Sequence, residues 1–237
     1  MTCRTSLLCM CLLGAGLASG AAAQQAAEDA GAATKPAAML DLRRQPAVSG
    51  DAQAGAGKAA VCAACHGAHG VAVAPNFPNL AGQSATYLYV QLKSFKGGQR
   101  SDAVMSGQAA ALSDADMRDL ASYYAAQAAK LPGRADVASR GAQLYHAGDP
   151  AKGIPPCQGC HGPDGMGPRP HPGSAPQPPW ASFPRLRGQS GQYLAHELHD
   201  FRSGTRAATS NAKVMQGVAA TLDDADVQAL SAYLDAL

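Results

Sequence analysis

Large side chains are scarce in this 237-residue sequence. Aromatic residues make up 5% of the chain and include a single Trp, whereas glycine occurs 26 times. The length allows one large domain or two small ones of roughly 100 residues each. Small domains bury a limited area on folding, and these side chains would add little to it. A large apolar cofactor in each core would supply the missing hydrophobic area.

An excess of one charge sign is also lacking. The formal net charge is +2, and none of the segments 1–47, 48–130 and 131–237 has more than one excess positive charge. Nucleic-acid binders carry a strongly basic surface. The charge balance therefore excludes DNA and RNA as expected partners.

Long hydrophobic runs are missing apart from one near the start. The apolar stretch Ser6–Leu17 follows a basic residue and precedes Ala21-Ala22-Ala23. This is the pattern of a secretory signal, which we place at residues 1–23 with cleavage near Ala23. The run is short for a membrane-spanning helix, so an uncleaved anchor is the weaker alternative, and a lipoprotein at Cys11 is weaker still. We expect an exported chain with no membrane span and at most peripheral membrane association.

Cysteine is confined to the signal and to two short motifs. Cys3, Cys9 and Cys11 would leave with the signal. The other four lie in Cys62-Ala-Ala-Cys-His66 and Cys157-Gln-Gly-Cys-His161. No cysteine is left for a disulfide framework, although an exported protein could keep one.

The chain divides into a leader and two domains. Residues 24–47 are rich in Ala, Gln, Gly and Pro with few large apolar groups, so we expect a flexible leader there. The stretch Lys130–Arg134 contains helix-breaking residues and predicts a linker between domains at 48–130 and 131–237. Capping residues and periodicity predict three helices in the first domain. They run from Ser49 or Asp51 to about Val61, from Ser84 to Phe95 and from Ser113 through Tyr124. The stretch around Met105 is predicted to be irregular.

The two domains are an internal duplication. Asn76-Phe-Pro-Asn-Leu-Ala-Gly-Gln-Ser84 corresponds to Ser182-Phe-Pro-Arg-Leu-Arg-Gly-Gln-Ser190. The later segments Leu112-Ser-Asp-Ala-Asp116 and Leu222-Asp-Asp-Ala-Asp226 also correspond. The second copy has a Pro-rich insertion at 167–179, which we interpret as a surface loop. Repeats of this kind predict two equivalent structural units.

Each Cys-x-x-Cys-His motif is the attachment signature of c-type haem. Cysteines three positions apart on a helical turn face the same side, where they can reach both vinyl groups of one porphyrin edge. The adjacent His66 or His161 can then reach the iron. The alternatives are a zinc site, which usually gathers four closely paired ligands, and a thioredoxin-like redox pair, which usually lies near a βαβ unit. Two copies with the same His favour two haems over both.

The repeat also selects the sixth iron ligands. Met105 and Met215 each lie seven residues before the equivalent leucines Leu112 and Leu222. A Met ligand raises the reduction potential of a haem. The other methionines have no matching partner in the repeat, and His171 in the Pro-rich insertion remains a minor alternative ligand. Pro78 and Pro184 begin matching loops, and their carbonyl groups are expected acceptors for the second ring nitrogen of His66 and His161.

These motifs together resemble the cytochrome c4 family. The resemblance covers about residues 49–237 and includes C-A-A-C-H-G, C-Q-G-C-H-G, the two F-P-x-L-x-G-Q-S loops and the late Met followed by L-S-D-A-D. It implies an all-α fold of two class I cytochrome c domains related by an approximate two-fold axis. It also implies two covalent haems held at the family positions, which match Cys62, Cys65, His66, Pro78, Met105, Cys157, Cys160, His161, Pro184 and Met215.

The resemblance further implies a periplasmic electron carrier. Such proteins take electrons from a quinol-oxidising complex or dehydrogenase and deliver them to a terminal haem–copper oxidase. The alternative is a haem c electron-accepting subunit of a periplasmic dehydrogenase complex. A dihaem peroxidase is disfavoured because peroxide chemistry needs an open iron position, whereas both halves offer a Met. We therefore expect an electron carrier and not an enzyme.

Basic residues precede both methionines. Lys93, Lys96 and Arg100 precede Met105, and a second group precedes Met215. We interpret these groups as a basic rim that steers an acidic partner, with an ordinary solvated face as the alternative. The second group comprises Arg185, Arg187, Arg202, Arg206 and Lys213.

Overall fold

The structure, a computed structural model, describes residues 38–42, 48–131, 133–168 and 179–237. The signal, most of the leader, Pro132 of the linker and most of the Pro-rich insertion with His171 lie outside the described residues. Extended pairing within the described residues is limited to the isolated bridges Leu40–Thr209 and Asp149–Ile154. No helix in these ranges is long and apolar enough to cross a membrane. The expected all-α class is confirmed.

Ten α-helices are seen in the described residues, five in each half. The first half contains α1 (Ala52–Lys58), α2 (Ala63–His66), α3 (Ala85–Lys96), α4 (Met105–Ala110) and α5 (Asp114–Ala125). The second half contains α6 (Arg140–Ala147), α7 (Gln158–His161), α8 (Gly191–Ser203), α9 (Ser210–Ala219) and α10 (Asp224–Ala236), with 3₁₀ turns at Pro150–Lys152 and Pro179–Ser182.

Side-chain caps start the equivalent helices at equivalent positions. Ser84 accepts a hydrogen bond from the Tyr87 amide at the start of α3, and Ser190 does the same at α8. Both α5 and α10 begin with a capping box, Ser113 with Asp116 and Asp223 with Asp226. Each box satisfies two amides that the first helical turn leaves unpaired. The predicted helix starts at Ser84 and Ser113 are therefore confirmed.

Two expectations need correction. The helix α1 is capped by Asp51 and ends at Lys58, short of the predicted Val61. The stretch around Met105, predicted to be irregular, contains α4, and the equivalent Met215 lies within the longer α9. The second half has four more residues before its Met. Four residues are about one helical turn, and the added length appears as the first turn of α9.

Glycine allows the first and last helices of each half to cross in close contact. A Cβ added at Gly55 in α1 would lie 2.2 Å from the backbone oxygen of Asp119 in α5. A Cβ added at Gly141 in α6 would lie 2.1 Å from the backbone oxygen of Ala229 in α10. Backbones approach this closely only where no side chain intervenes. These crossings fix α1 and α6, which lead toward the two Cys-x-x-Cys-His turns.

Each half has its own buried core. In the first half, α3 and α1 pack on α5, and the core includes Tyr89, Leu120 and Tyr124. In the second half, α6 and α8 pack on α10 around Leu144 and Tyr145, both fully buried. Both cores consist mainly of Leu and Tyr side chains, with Val, Ile and Met between them.

The repeated F-P-x-L-x-G-Q-S loops join the two halves. Gln83 exchanges two hydrogen bonds of 2.9 Å with the backbone of Arg185. Gln189 makes the equivalent pair with the backbone of Asn79, at 2.8 and 3.0 Å. Reciprocal contacts between equivalent residues are the signature of a two-fold interface. The approximate two-fold axis is confirmed and passes between these loops.

Residues 38–42 differ from the flexible leader expected at 24–47. The side chain of Leu42 is 2% exposed and packs in the core of the first half. The backbone of Leu40 pairs with the second half by hydrogen bonds of 3.0 Å to Ala208 and Ser210. Leu42 and Leu40 supply the large apolar groups that the leader as a whole lacks. The rest of the leader lies outside the described residues.

Candidate functional site

The two Cys-x-x-Cys-His motifs form equivalent single turns of helix, α2 and α7. Each turn ends at a glycine with positive φ, 73° at Gly67 and 81° at Gly162. That conformation is accessible to glycine and strained for other residues, so the chain leaves the helix directly after the His. Within each turn the two cysteines are three positions apart and share a face.

The histidines of both turns are buried and oriented by a carbonyl group. His66 and His161 are each 6% exposed. The Nδ1 of His66 lies 3.0 Å from the carbonyl oxygen of Pro78, and the Nδ1 of His161 lies 3.0 Å from that of Pro184. The hydrogen bonds predicted from the repeat are therefore present. A proton on Nδ1 leaves the Nε2 lone pair available to a metal.

Burial keeps both imidazoles neutral. It lowers the pKa of His66 and of His161, and the proline carbonyl groups oppose this only in part. A neutral ring is the form that binds a metal ion. Each histidine thus has one ring nitrogen bonded to a carbonyl group and a neutral ring that suits a metal ligand.

The thiols are not those of a redox pair. Burial raises the pKa of Cys62, and it raises the pKa of Cys157 to about 11. Reactive cysteines of thioredoxin-like proteins have a lowered pKa, because the thiolate is the nucleophile. No disulfide joins Cys62 to Cys65 or Cys157 to Cys160. The raised pKa values distinguish Cys62 and Cys157 from the nucleophilic cysteine of a thioredoxin-like pair.

Two phenylalanines that sequence reasoning missed lie beside the histidines. The Phe77 ring centroid is 6.2 Å from that of His66, and the Phe183 centroid is 6.3 Å from that of His161. They precede the prolines that accept the histidine hydrogen bonds. Their presence in both copies of the repeated loop was the available signal.

Backbone hydrogen bonds hold the proline loops in place. The carbonyl oxygen of Gly70 accepts from the Leu80 and Ala81 amides, at 2.8 and 3.0 Å. The carbonyl oxygen of Gly165 accepts equivalent bonds from Leu186 and Arg187, at 2.8 and 2.9 Å. Each loop is closed onto the turn that carries its histidine. The same loops form the interface between the halves, so the histidine acceptors are fixed to that interface.

The methionines selected from the repeat occupy equivalent half-buried positions on helices. Met105 is the first residue of α4, and its amide donates to Asp102 Oδ1 at 2.7 Å. Met215 lies inside α9 and packs against Phe201 and Ala219. Met117 is 3% exposed in the core of the first half, as expected of a packing residue. The ligand roles of Met105 and Met215 stay predictions.

The remaining described histidines all have side-chain partners. His146 contacts Tyr233 Oη at 2.8 Å and Gln158 Oε1 at 3.2 Å. Tyr123 Oη lies 3.5 Å from His69 Nδ1. The other two are His196, 3.5 Å from Asp200, and His199, 2.9 Å from Arg202.

The cations that precede the two methionines do not form the continuous exposed basic rim that the sequence predicted. Arg100 and Arg206 are buried between the halves, with side chains 12% and 10% exposed. Arg202 forms a salt bridge of 2.6 Å with Asp224. Lys96 donates to the carbonyl oxygens of Ala110 and Leu112. Spacing along the chain showed the clustering of these cations but not the partners that fold against them.

The described residues fit a covalently held haem in each half. Each turn offers two thiols on one face and a buried neutral imidazole with one ring nitrogen free. A four-ligand zinc site would require further Cys or His residues beside each pair, and the nearby described histidines are engaged elsewhere. The donor set is that of c-type haem attachment.

Comparison with known proteins agrees with this chemistry. The family model for cytochrome c matches twice, at residues 52–126 and 138–237. Cytochrome c4 from Pseudomonas aeruginosa is 44% identical over 191 residues, which cover 80% of this chain and 90% of that protein. A thiosulfate dehydrogenase electron acceptor from Stutzerimonas stutzeri is 41% identical over 76% of this chain and 81% of its own length. The crystal structure of reduced recombinant cytochrome c4 from Pseudomonas stutzeri superposes with a TM-score of 0.71 at 42% identity, covering 80% of this chain and all of that one.

Proposed function

The chain belongs to the cytochrome c4 family, a family of dihaem electron carriers, and from that premise we propose its place in electron transport. It carries single electrons in the periplasm, from a quinol-oxidising complex or dehydrogenase to a terminal haem–copper oxidase. The observation that supports this most is the pair of equivalent turns with buried, carbonyl-oriented histidines. Two haem c groups are bound covalently, one in each half.

Each bound haem supplies a one-electron ferric/ferrous couple. Cys62 and Cys65 hold the first haem through thioether bonds, and Cys157 and Cys160 hold the second. His66 and His161 would bind the iron of each haem through Nε2, and Pro78 and Pro184 hold their rings in one orientation. Met105 and Met215 would supply the second protein ligand to each iron, which would raise its reduction potential. Cys62, Cys65 and Cys157 are half-buried and Cys160 is exposed, so one edge of each site lies near the surface.

Residues 1–23 direct export and are removed near Ala23. The haem-bearing domains span 48–130 and 131–237, and both lie in the periplasm. The described part of the chain holds the cofactors without a membrane-spanning helix. Redox partners are therefore reached by diffusion or by peripheral association.

One relative favours a second candidate function. The thiosulfate dehydrogenase electron acceptor shares 41% identity over most of both chains. On this alternative the chain is the haem c electron-accepting subunit of a periplasmic dehydrogenase complex. A dehydrogenase subunit that co-purifies with the native protein would favour this candidate over a freely diffusing carrier.

The axial methionines provide the direct test of the proposed sites. We expect Met105→Ala and Met215→Ala each to remove about half of the far-red Met-to-ferric-iron absorption band, because each supplies one of two ligands. Met166→Ala is the matched control and should keep the whole band. The haem content, measured as the pyridine haemochrome, should remain two per chain in all three variants. A full band in either axial variant would contradict the assignment of that ligand.

A further inference from the structure

Three pairs of repeat-equivalent residues meet where the two halves contact each other. Two pairs lie on α3 and α8 and one in the loop that follows each helix, and the members of every pair are 106 positions apart. We call them the interface cluster, which consists of Tyr87 and Tyr193, Gln91 and Glu197, and Arg100 and Arg206.

The hydrogen bonds of the cluster are reciprocal. Arg100 donates to Gln91 of its own half at 2.7 Å, and across the interface to the Glu197 carboxylate and to Tyr193 Oη at 3.1 Å. Arg206 donates to Glu197 of its own half, and across to Gln91 at 2.7 Å and Tyr87 Oη at 3.3 Å. The approximate two-fold axis therefore passes through the cluster.

Both guanidinium groups are held on two sides. Arg100 lies 4.6 Å from the ring centroid of Phe95, and Arg206 lies 4.6 Å from that of Phe201. The side chain of Glu197 is 9% exposed. Planar stacking and fork-shaped hydrogen bonding together restrict an arginine side chain strongly. The cluster is therefore a restricted contact whose charged groups are largely buried.

The symmetry fails at one position, where the first half has Gln91 and the second has Glu197. Two buried cations thus share a single carboxylate, and each of its oxygens accepts from one of them. Burial opposes ionisation of Glu197, but Arg206 and Arg100 outweigh it and hold the pKa of its carboxyl below the usual range. Without this carboxylate the cluster would hold two like charges with no counter-charge, which is costly in a buried site.

We propose that Glu197 is a positioning residue, which holds the two halves in one relative orientation and so fixes the path for electron exchange between their haems. The proposal rests on the proposed function, since the orientation affects electron transport only if both halves carry a haem. Glu197 contacts neither histidine-bearing turn in the hydrogen bonds described. Its effect is exerted through the two arginines.

The test uses the holoprotein and three variants built from the symmetry. Glu197→Gln removes the only carboxylate of the cluster. Gln91→Glu adds a second one at the equivalent position and serves as the matched control. The double variant Gln91→Glu/Glu197→Gln moves the carboxylate from one half to the other and conserves the charge. Amide hydrogen exchange in α3 and α8 reports opening of the interface, and NMR line broadening at half reduction reports electron exchange between the haems.

We expect Glu197→Gln to raise the opening equilibrium roughly tenfold or more, because a buried ion pair loses one partner. Electron exchange between the haems should slow in the same variant. Gln91→Glu should retain the wild-type values, and the double variant should recover them. Wild-type electron exchange in Glu197→Gln would overturn the proposal, as would a double variant that fails to recover. If Glu197→Gln does not yield folded protein, the double variant alone decides the proposal. Wild-type opening and electron exchange in the double variant would support it, and altered values would overturn it.

This outcome is separable from the proposed function. If the positioning role is wrong, both haems of Glu197→Gln still bind and keep their far-red band, and electron exchange between them stays at the wild-type rate. If the proposed haem ligation is wrong, the far-red band keeps its full intensity in Met105→Ala or Met215→Ala, whatever residue occupies position 197.

Discussion

Replacing Gly55 by alanine is expected to destabilise the first half of the molecule. The added Cβ would lie 2.2 Å from the backbone oxygen of Asp119 and 2.8 Å from the Cβ of Tyr123. Carbon atoms in folded proteins do not approach other heavy atoms that closely, so α1 and α5 have to separate by roughly 1 Å. The obstacle is backbone on the α5 side, which cannot rotate away as a flexible side chain could.

The magnitude follows from two opposing effects. Overpacking of a close contact costs about 1–3 kcal/mol, and rigid backbone places this site near the upper end. Alanine is favoured over glycine within a helix by about 1 kcal/mol. The expected net change is a loss of about 2 kcal/mol in the free energy of unfolding. For a half of this size, that corresponds to a melting temperature lower by roughly 8 °C or more.

Gly57 provides the control within the same helix. Nothing lies within 4 Å of a Cβ added there, so Gly57→Ala should stabilise the protein by up to about 1 kcal/mol. The assay is thermal unfolding of the oxidised holoprotein, followed by circular dichroism and by haem absorbance. Equal melting temperatures for Gly55→Ala and Gly57→Ala would refute the argument that the helices touch at Gly55.

Two further changes test the second half and the interface. Tyr145→Phe removes the 2.5 Å hydrogen bond to the Gly162 carbonyl oxygen, which keeps a longer bond of 3.3 Å from the Gly165 amide. Denaturant unfolding should show a loss of about 1 kcal/mol, the usual contribution of one internal hydrogen bond. Tyr123→Phe, which loses an exposed hydrogen bond, should cost less, and the reverse order would contradict this explanation. The lowered pKa of Glu197 contributes stability that is complete above the unfolded value of about 4.3 and disappears as the pH falls through the folded value. Thermal melts from pH 7 to pH 3 should therefore show a smaller acid-induced loss in Glu197→Gln, and parallel curves would contradict this.

The two histidine-bearing turns and their proline acceptors were predictable because each arrangement is local and occurs twice. The thiols and histidine of each site lie within five consecutive residues, and the matching Pro78 and Pro184 loops identified the acceptors of the histidine hydrogen bonds. Helix starts at Ser84 and Ser113 were predictable for the same reason, since a cap depends on neighbours in sequence.

Features that depend on distant residues were missed or misread. Gly55 and Gly141 give no local signal, because their role depends on α5 and α10 crossing beside them. Arg100 and Arg206 were expected at a surface, since their charge is visible in the sequence and Glu197 as a shared partner is not. The duplication contained a clue: both arginines recur at equivalent positions, each with a tyrosine 13 residues earlier. Retention of a cation in both copies fits a symmetric contact better than an open rim.

The segment at residues 38–42 makes the two halves inseparable in a way that duplication alone does not. Its Leu42 side chain completes the core of the first half, while its backbone is hydrogen-bonded to the chain just before α9 of the second. The stretch that precedes Met215 is thus held by residues from the opposite end of the chain. Neither half could form this link by itself, because the segment 38–42 contacts both halves. The two halves of the protein are therefore joined by a shared segment, and they are not interchangeable modules.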